Sequence, residues 1–202
     1  MLYITRAGHV DAERIKMKIF PSIERRKMDK INGIVVHQTD GSTADSAFNS
    51  YKSADANGAH FLIDKDGSIY QTASLYKTTN HAGMAQSRCL HTQKCTPAEF
   101  KTVSGLERAW KPKVISDREY KKQWPDRYPL NMDSIGIEIV GISQKTPDQK
   151  EKVYEPVNDQ QNASLKWLVR ELSETLNVSM SEIYRHPEIA RKNATEASTA
   201  KW

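Results

Sequence analysis

Three residues of this chain carry side chains that do acid–base or metal chemistry, and two of them lie in apolar runs. His37 ends the strand-like run 34–37, Glu138 interrupts the apolar run 134–141, and His186 lies in the segment 185–190 near the C-terminus. A carboxylate among isoleucine and valine is costly to bury unless it is paired or used. Two histidines far apart in sequence are typical ligands of a folded zinc site. Together they indicate metal-assisted hydrolysis.

The elements that must position these residues follow from hydrophobic periodicity. The sequence predicts a buried strand, a helix, a β-hairpin, a second strand and a long amphipathic helix. In chain order these are Ile31 to His37, Thr43 to Ala54, the strands His60 to Asp64 and Ser68 to Thr72, Ser134 to Val140, and Asn158 to Leu176. The pair Asp66-Gly67 favours a tight hairpin turn. Residues 142–157 are expected to form a polar loop.

The pattern weakens between residues 84 and 131. Four prolines divide this segment into short polar and aromatic pieces, with one helix predicted from Pro97 to Trp110. We interpret the segment as an insertion within a single domain, residues 1–202, that begins with an N-terminal extension, residues 1–30.

Composition and charge narrow the class of partner. A net charge of +5 and a pI near 9.1 favour an anionic partner such as cell-wall polymer, nucleic acid or a membrane surface, or serve solubility alone. The basic residues are scattered and no recognition helix is evident, which disfavours nucleic acid. No apolar run approaches the roughly 18 residues of a transmembrane segment. Residues 1–20 carry charges throughout, so no cleaved signal peptide is expected.

The chain has two cysteines, Cys89 and Cys95. They are expected either to close a small disulfide loop in an oxidising compartment or to remain ordinary thiols. A second zinc site is not expected, because His91 and two cysteines at this spacing lack a fourth ligand nearby.

Five sequence blocks together resemble the type 2 zinc-dependent N-acetylmuramoyl-L-alanine amidases, relatives of the peptidoglycan recognition proteins and phage amidase-lysozymes. The resemblance covers residues 31–202 apart from 84–131. The blocks, in family order, are Ile34-Val35-Val36-His37, the run from Ala59 to Gln71, Asn80-His81-Ala82-Gly83, the run from Ser134 to Gly141, and the His186 segment.

The resemblance implies an α/β fold with a mixed central β-sheet flanked by helices and a zinc ion in a groove at one end of the sheet. It implies cleavage of the amide between N-acetylmuramic acid and L-alanine of the peptidoglycan stem peptide. His37 and His186 match the two histidine ligands of zinc. Glu138 matches the catalytic glutamate that takes a proton from water and delivers it to the departing amine.

The third zinc ligand departs from the family pattern, in which a lysine stands two residues before a ligating aspartate or cysteine. Here Lys192 is followed two residues later by Ala194, which cannot bind metal. Glu196 is the only acidic or sulfur side chain beyond Glu188 and is therefore the candidate ligand. By the same resemblance, Lys192 is expected to stabilise the oxyanion of the tetrahedral intermediate.

Three further residues are assigned to the substrate groove by the resemblance. His81 matches a histidine that lines the groove, and Asn80 replaces the tryptophan that precedes it in the family. His60 is placed with them, with a structural role favoured over a catalytic one. The segment 84–131 is expected to form one wall of the groove and to be replaceable without unfolding the sheet.

Two other functions stay open at this stage. A peptidoglycan-binding module without catalysis would keep the groove and lose zinc, and a cytosolic amidase that recycles anhydro-muropeptides would share the chemistry. A wall-degrading enzyme is expected to be made in the cytoplasm without a signal peptide and to act in the periplasm or cell wall. It must therefore be delivered across the inner membrane by another route. Phage lysis or a contact-dependent apparatus such as type VI secretion would supply it, and an antibacterial effector would need an immunity protein.

Overall fold

The computed structural model describes residues 1–145 and 151–202. The bounds of its strands are β1 Tyr3–Ile4, β2 Val10–Asp11, β3 Ile15–Met17, β4 Gly33–Gln38, β5 Phe61–Ile63, β6 Ile69–Gln71, β7 Ser134–Ile139, β8 Ser143–Gln144, β9 Val153–Tyr154 and β10 Ile183–Arg185. The α-helices are α1 Ala44–Tyr51, α2 Arg88–Thr92, α3 Pro97–Arg108, α4 Pro112–Glu119, α5 Asp159–Leu176 and α6 His186–Ile189.

Six strands form the central sheet in the order β10-β4-β7-β5-β6-β3. All neighbours pair in parallel except β5 and β6, which form the antiparallel hairpin predicted around Asp66-Gly67. Gly67 has a φ of +80°, a left-handed conformation that glycine adopts without strain. The sheet is therefore mixed, as predicted, and β4 and β7 are adjacent inner strands.

Helix α5 covers one face of the sheet. Its side chains Leu165, Leu168, Val169 and Leu172 are fully buried against alternate residues of the central strands. Those residues are Ile34, Val36, Phe61, Ile63, Ile135, Ile137 and Ile139. Asn158 caps the helix by accepting a hydrogen bond from the backbone N–H of Gln161, so the amphipathic helix begins where the sequence predicts.

The opposite face of the sheet is covered by two separate groups of apolar side chains. Helix α1 contributes one group, in which Phe48 and Tyr51 pack near Leu62 of β5. The other group surrounds Val35 of β4 and includes Leu130 and Ile189. Because strand residues alternate between faces, His37 and Glu138 also lie on this second face.

The segment 84–131 is more ordered and more buried than the sequence indicates. It contains α2 and α4 in addition to the predicted helix α3. Val103, Ile115 and Leu130 are fully buried, and Leu130 packs in the group around Val35. This burial argues against the expectation that the segment can be replaced without unfolding the sheet, because its removal would expose one face of β4. Cys89 and Cys95 within it form a disulfide.

Two further segments differ from a simple reading of the sequence. The predicted polar loop 142–157 contains the short antiparallel pair β8 and β9, and its residues 146–150 lie outside the described part of the chain. Within residues 1–30, β3 pairs in parallel with β6 and forms one edge of the central sheet. Across the described residues, no helix has the length and apolar composition needed to cross a membrane.

Candidate active site

The first two site residues lie side by side because of the strand register. His37 of β4 is paired with Glu138 of β7 in the parallel ladder. Both side chains therefore project from the same face of the sheet, near the carboxyl ends of the two strands. The alternating apolar residues that hold the strands against α5 thus also fix the direction of the functional side chains.

His186 reaches the same place from the neighbouring strand. Strand β10 pairs in parallel with β4, so that Arg185 lies beside Val36 and the next residue, His186, begins α6. The ring centroids of His37 and His186 are 4.2 Å apart. Pro187 occupies the first turn of α6, where a missing N–H costs nothing.

The carboxylate of Glu196 lies between the two histidines. Its Oε1 is 2.8 Å from Nδ1 of His186 and 3.6 Å from Nδ1 of His37. The side chain is 7% exposed. Burial works against ionisation of this carboxyl, but the close contacts with the His186 and His37 rings outweigh it and lower the pKa of Glu196 to about 2. The carboxylate is therefore ionised at neutral pH.

These three residues form a group that could hold a metal ion. Each offers one ligand atom, and the ligand atoms all lie within 4.8 Å of one another. Glu188, the other acidic residue of this part of the chain, is not in the group. Its carboxylate accepts a hydrogen bond from the backbone N–H of Arg185 and caps α6.

Hydrogen bonds fix the orientation of the His186 ring. Its Nε2 is 2.9 Å from the backbone carbonyl oxygen of Ala82, which can only accept. The proton therefore resides on Nε2, and Nδ1 keeps its lone pair on the side of Glu196. A ligating histidine usually donates its other N–H to such a partner, which fixes the tautomer.

The His37 ring is oriented by a chain of side-chain contacts. Ser134 Oγ donates to the carbonyl of Leu130 and so can accept from Nε2 of His81 at 3.3 Å. Nδ1 of His81 is then free to accept from Nε2 of His37 at 3.0 Å. This arrangement leaves the Nδ1 lone pair of His37 directed toward Glu196. Gly136 provides the space, because an added Cβ would lie 3.0 Å from Cγ of His81.

His37 and His81 are neutral in these surroundings. Burial, together with the neighbouring His186, lowers the pKa of His37 to about 4. Burial and the nearby histidines likewise hold the pKa of His81 well below its usual value. A neutral imidazole has the lone pair that metal binding requires.

Glu138 lines a cavity of about 470 Å³ together with the three grouped residues. Its Oε2 is inaccessible to solvent and lacks a hydrogen-bond partner among the described residues. Burial and the charge of Glu196 raise the pKa of Glu138 to about 8, although Lys192 acts in the opposite direction. A partly desolvated carboxyl with a raised pKa in a cavity has the properties of a general acid or base.

The remaining predicted site residues have different surroundings. Lys192 lines the cavity and passes beside Gly83, where an added Cβ would lie 3.4 Å from its Cε. Asn80 lies at the cavity rim with an exposed side chain. His81 also lines the cavity.

His60, which was assigned to the substrate groove, is not among the residues that line the cavity. The residue is fully buried, with its ring nitrogens 3.1 Å from the backbone nitrogen of Gly136 and 2.8 Å from the carbonyl of Lys77. It connects β7 to the segment that follows β6. The structural role favoured by the sequence is the one its contacts support.

Two tyrosines of the cavity wall were missed by the sequence analysis. Burial and the charge of Glu138 raise the pKa of Tyr51, at the end of α1, well above the usual tyrosine value. Tyr154 of β9 is raised in pKa by burial and by the charge of Glu196. Tyr51 gives only a helical apolar signal, and Tyr154 falls in a polar stretch, so neither pattern points to a site.

Comparison with known proteins gives one family and a shared fold. A family model described as N-acetylmuramoyl-L-alanine amidase matches residues 27–199. A selenomethionine derivative of AmpD is 18% identical with a TM-score of 0.57, covering 99% of this chain and 96% of that chain. The catalytic domain of XlyA is 20% identical with a TM-score of 0.51, covering 88% and 87%.

AmpDh3 from Pseudomonas aeruginosa is 16% identical with a TM-score of 0.55, covering 98% of this chain and 63% of that chain. At these identities the solved structures establish likeness of fold, which confirms the predicted mixed sheet flanked by helices. A comparison with curated proteins finds no match.

Proposed function

The chain belongs to the N-acetylmuramoyl-L-alanine amidase family, and from this we propose that it is a zinc-dependent enzyme that separates peptidoglycan stem peptides from the glycan. The bond cleaved is the amide between the lactyl group of N-acetylmuramic acid and L-alanine. One observation carries the proposal. His37, His186 and Glu196 converge on one cavity wall, and Glu138 lies on the same wall.

The three grouped residues fit zinc by their chemistry and spacing. Two histidines and one carboxylate form a known set of catalytic zinc ligands, which leaves a fourth position open. Bonds of about 2.1 Å in a tetrahedral arrangement place ligand atoms about 3.4 Å apart. The distances from Glu196 Oε1 to the two Nδ1 atoms, 2.8 and 3.6 Å, lie on either side of that value. Bound zinc supplies Lewis acidity toward water and the scissile carbonyl.

The protein side chains then perform the proton transfers. Glu138, as the carboxylate, takes a proton from the attacking water and passes it to the departing amine of L-alanine. Lys192, on the same cavity wall, stabilises the negative charge that develops on the carbonyl oxygen. A module that only bound peptidoglycan would need neither a desolvated carboxylate nor three convergent ligands.

We place the action of this enzyme in the periplasm or cell wall. The disulfide between Cys89 and Cys95 supports this, because such bonds persist in oxidising compartments. Delivery as an antibacterial effector, for example by type VI secretion, is favoured over release as a phage lysin, and it entails an immunity protein in the producing cell. For AmpDh3, a structure in complex with anhydromuramic pentapeptide exists, which makes a recycling amidase the competing function.

The test is digestion of purified sacculi followed by mass spectrometry. We expect free stem peptides that begin with L-alanine and glycan strands without peptide. Glu138→Gln serves as the control, with a rate lower by about two to four orders of magnitude. Cleavage between stem amino acids would refute the proposed bond, and activity restricted to soluble anhydro-muropeptides would favour recycling.

A further inference from the structure

A second cavity of about 850 Å³ adjoins the catalytic cavity. The two share Asn80 and Asn131 as lining residues. Asn131 is held in place because its Oδ1 accepts hydrogen bonds from the backbone N–H groups of His81 and Ala82. We call Asn80 and Asn131 the asparagine ridge. A substrate whose scissile bond lies beside Glu138 can therefore extend across this ridge into the second cavity.

The second cavity is lined by five cationic side chains and two carboxylates. Most of these charges are already occupied by protein groups. Arg127 is paired with Asp133, Lys27 is paired with Asp29, and the Arg25 guanidinium donates to backbone carbonyls such as that of Ala56. The two remaining cationic side chains of the lining are those of Arg26 and Lys30.

Arg26 and Lys30 lie at the exposed part of this cavity. Within the described part of the chain, neither side chain has an ion-pair or hydrogen-bond partner. Both belong to the segment 24–32, whose backbone is fixed to the sheet region by hydrogen bonds of Arg25 and Arg26 with Thr78. The two cations are therefore carried on an anchored backbone beside the ridge, where they favour a negatively charged ligand.

The two halves of an amidase substrate differ in charge. The glycan strand is made of neutral N-acetylated sugars, whereas the stem peptide carries free carboxylates beyond L-alanine. Only the stem peptide is therefore complementary to Arg26 and Lys30. We infer that the second cavity binds carboxylates of the stem peptide and so sets the direction in which the substrate lies. This inference rests on the proposed amidase function.

The segment 84–131 also contributes to the lining of the second cavity. Tyr120 and Trp124 line it, and both rings are held by hydrogen bonds, from Tyr120 Oη to the carbonyl of Gly83 and from Trp124 Nε1 to Glu182. The cavity thus combines hydrogen-bonded aromatic side chains with exposed cations. Such a lining suits a peptide with alkyl stem side chains and terminal carboxylates.

The test compares two soluble muropeptides that differ only in whether the stem carboxylates are free or amidated. The native enzyme is expected to show a KM about three- to tenfold lower for the free-carboxylate substrate, as partly exposed ion pairs allow. In Arg26→Glu/Lys30→Glu this preference disappears or reverses, with kcat little changed. The matched control is Lys101→Glu/Lys166→Glu, which makes the same change in net charge on exposed helical lysines outside the cavity.

A direct binding measurement separates this inference from the proposed activity. The isolated stem tetrapeptide is titrated into native and variant protein by calorimetry, which requires no turnover. Weaker binding in the Arg26/Lys30 variant than in the control variant supports the inference, even for a protein that cleaves a different bond. Equal KM values for both substrates in native enzyme and equal binding in both variants overturn it while leaving the amidase function intact.

Phosphate groups of an anionic wall polymer are the other source of negative charge. Polyglycerol phosphate is therefore added as a competitor in the same assay. Suppose that the polymer binds the native protein but not Arg26→Glu/Lys30→Glu, while the variant keeps the native preference for free stem carboxylates. The cavity then binds phosphate, and the inference is wrong. Competition between polymer and tetrapeptide that vanishes together with the carboxylate preference supports the stem-peptide assignment.

Discussion

Glu196 is the residue on which the metal site depends most, because it supplies the anionic ligand of the group beside two histidines. We expect Glu196→Ala to reduce zinc affinity by at least about 100-fold and to abolish activity, since two histidines alone hold zinc weakly. The measurement is zinc content after dialysis against a weak chelator. Glu188→Ala is the matched control, because that carboxylate caps α6 outside the ligand group. Zinc lost in Glu188→Ala and kept in Glu196→Ala would move the ligand role to Glu188.

His81 is expected to act on zinc through His37. Replacing it in His81→Phe removes the acceptor for the Nε2 proton of His37 while filling much of the same volume. Loss of such a partner of a ligating histidine typically weakens metal binding by about 10- to 100-fold. Zinc affinity measured by competition with a chromophoric chelator checks this. His91→Phe, which alters a histidine outside the cavity, should leave affinity unchanged; unchanged affinity in His81→Phe would assign His81 to substrate contact alone.

Glu138 makes the stability of the metal-free protein dependent on pH. The carboxyl ionises near pH 4.5 in the unfolded chain and at about pH 8 in the folded one. Between these values the folded protein retains a proton that the unfolded chain releases, so this group destabilises the fold progressively as pH rises through that window. Metal-free Glu138→Gln should therefore gain stability over the native protein between pH 5 and 8, by on the order of 1–3 kcal/mol. Urea unfolding at pH 5 and pH 8 measures the free energy of unfolding of both proteins. A difference between them that does not change with pH would contradict the raised pKa of Glu138.

The sequence identifies some site residues and conceals others for physical reasons. His37 and Glu138 stand out because each is polar within an apolar run, which is a local signal, and His186 stands out through the family block that it matches. Glu196 was reached by elimination, and its convergence with the histidines depends on the path of the C-terminal segment, which no local pattern encodes. His60 shares the signal of His37, yet its ring contacts backbone groups of β7 and of the segment that follows β6. A polar residue in an apolar strand therefore indicates a buried side chain with a polar partner. Only the tertiary structure identifies that partner.

At the scale of elements, the segment 84–131 is part of the core. Leu130 is fully buried in the group around Val35, whose strand carries His37. Leu130→Ala should lower the free energy of unfolding by about 2–5 kcal/mol, as for other large-to-small changes in cores. Val114→Ala, at a 44% exposed position of α4, should change it by less than about 0.5 kcal/mol. Chemical denaturation of both variants is the measurement, and equal stabilities would restore the view of a dispensable insertion.

The long periodic elements were predictable, whereas the short ones were not. Helix α5 shows five apolar positions at helical spacing and an asparagine cap, so its bounds were found within a residue. Helices α2 and α4 have 5 and 8 residues and few buried side chains, and α4 begins at a proline. Their helical state is decided by packing against α3 rather than by their own periodicity. Tertiary contacts of this kind are absent from a window of sequence.

At the scale of the whole molecule, the sheet divides two tasks between its faces. One face, under α5, holds the largest apolar group, and the other separates two smaller groups. His37 and Glu138 lie on the second face at the carboxyl ends of β4 and β7. Parallel strands commonly place ligand sites at this edge, since side chains from adjacent strands converge there. The alternation of strand residues therefore specifies the core and the site together.

The whole protein should damage a bacterial cell only from outside the inner membrane, where peptidoglycan lies. A net charge of +5 favours association with the anionic wall, and the Cys89–Cys95 disulfide is suited to an oxidising compartment. We expect expression in the cytoplasm of a bacterium to be tolerated and export of the same chain behind a cleavable signal peptide to cause lysis, followed as loss of optical density. Exported Glu138→Gln is the matched control and should be harmless. Lysis from the cytoplasmic form, or none from the exported form with its activity on sacculi intact, would contradict the proposed site of action.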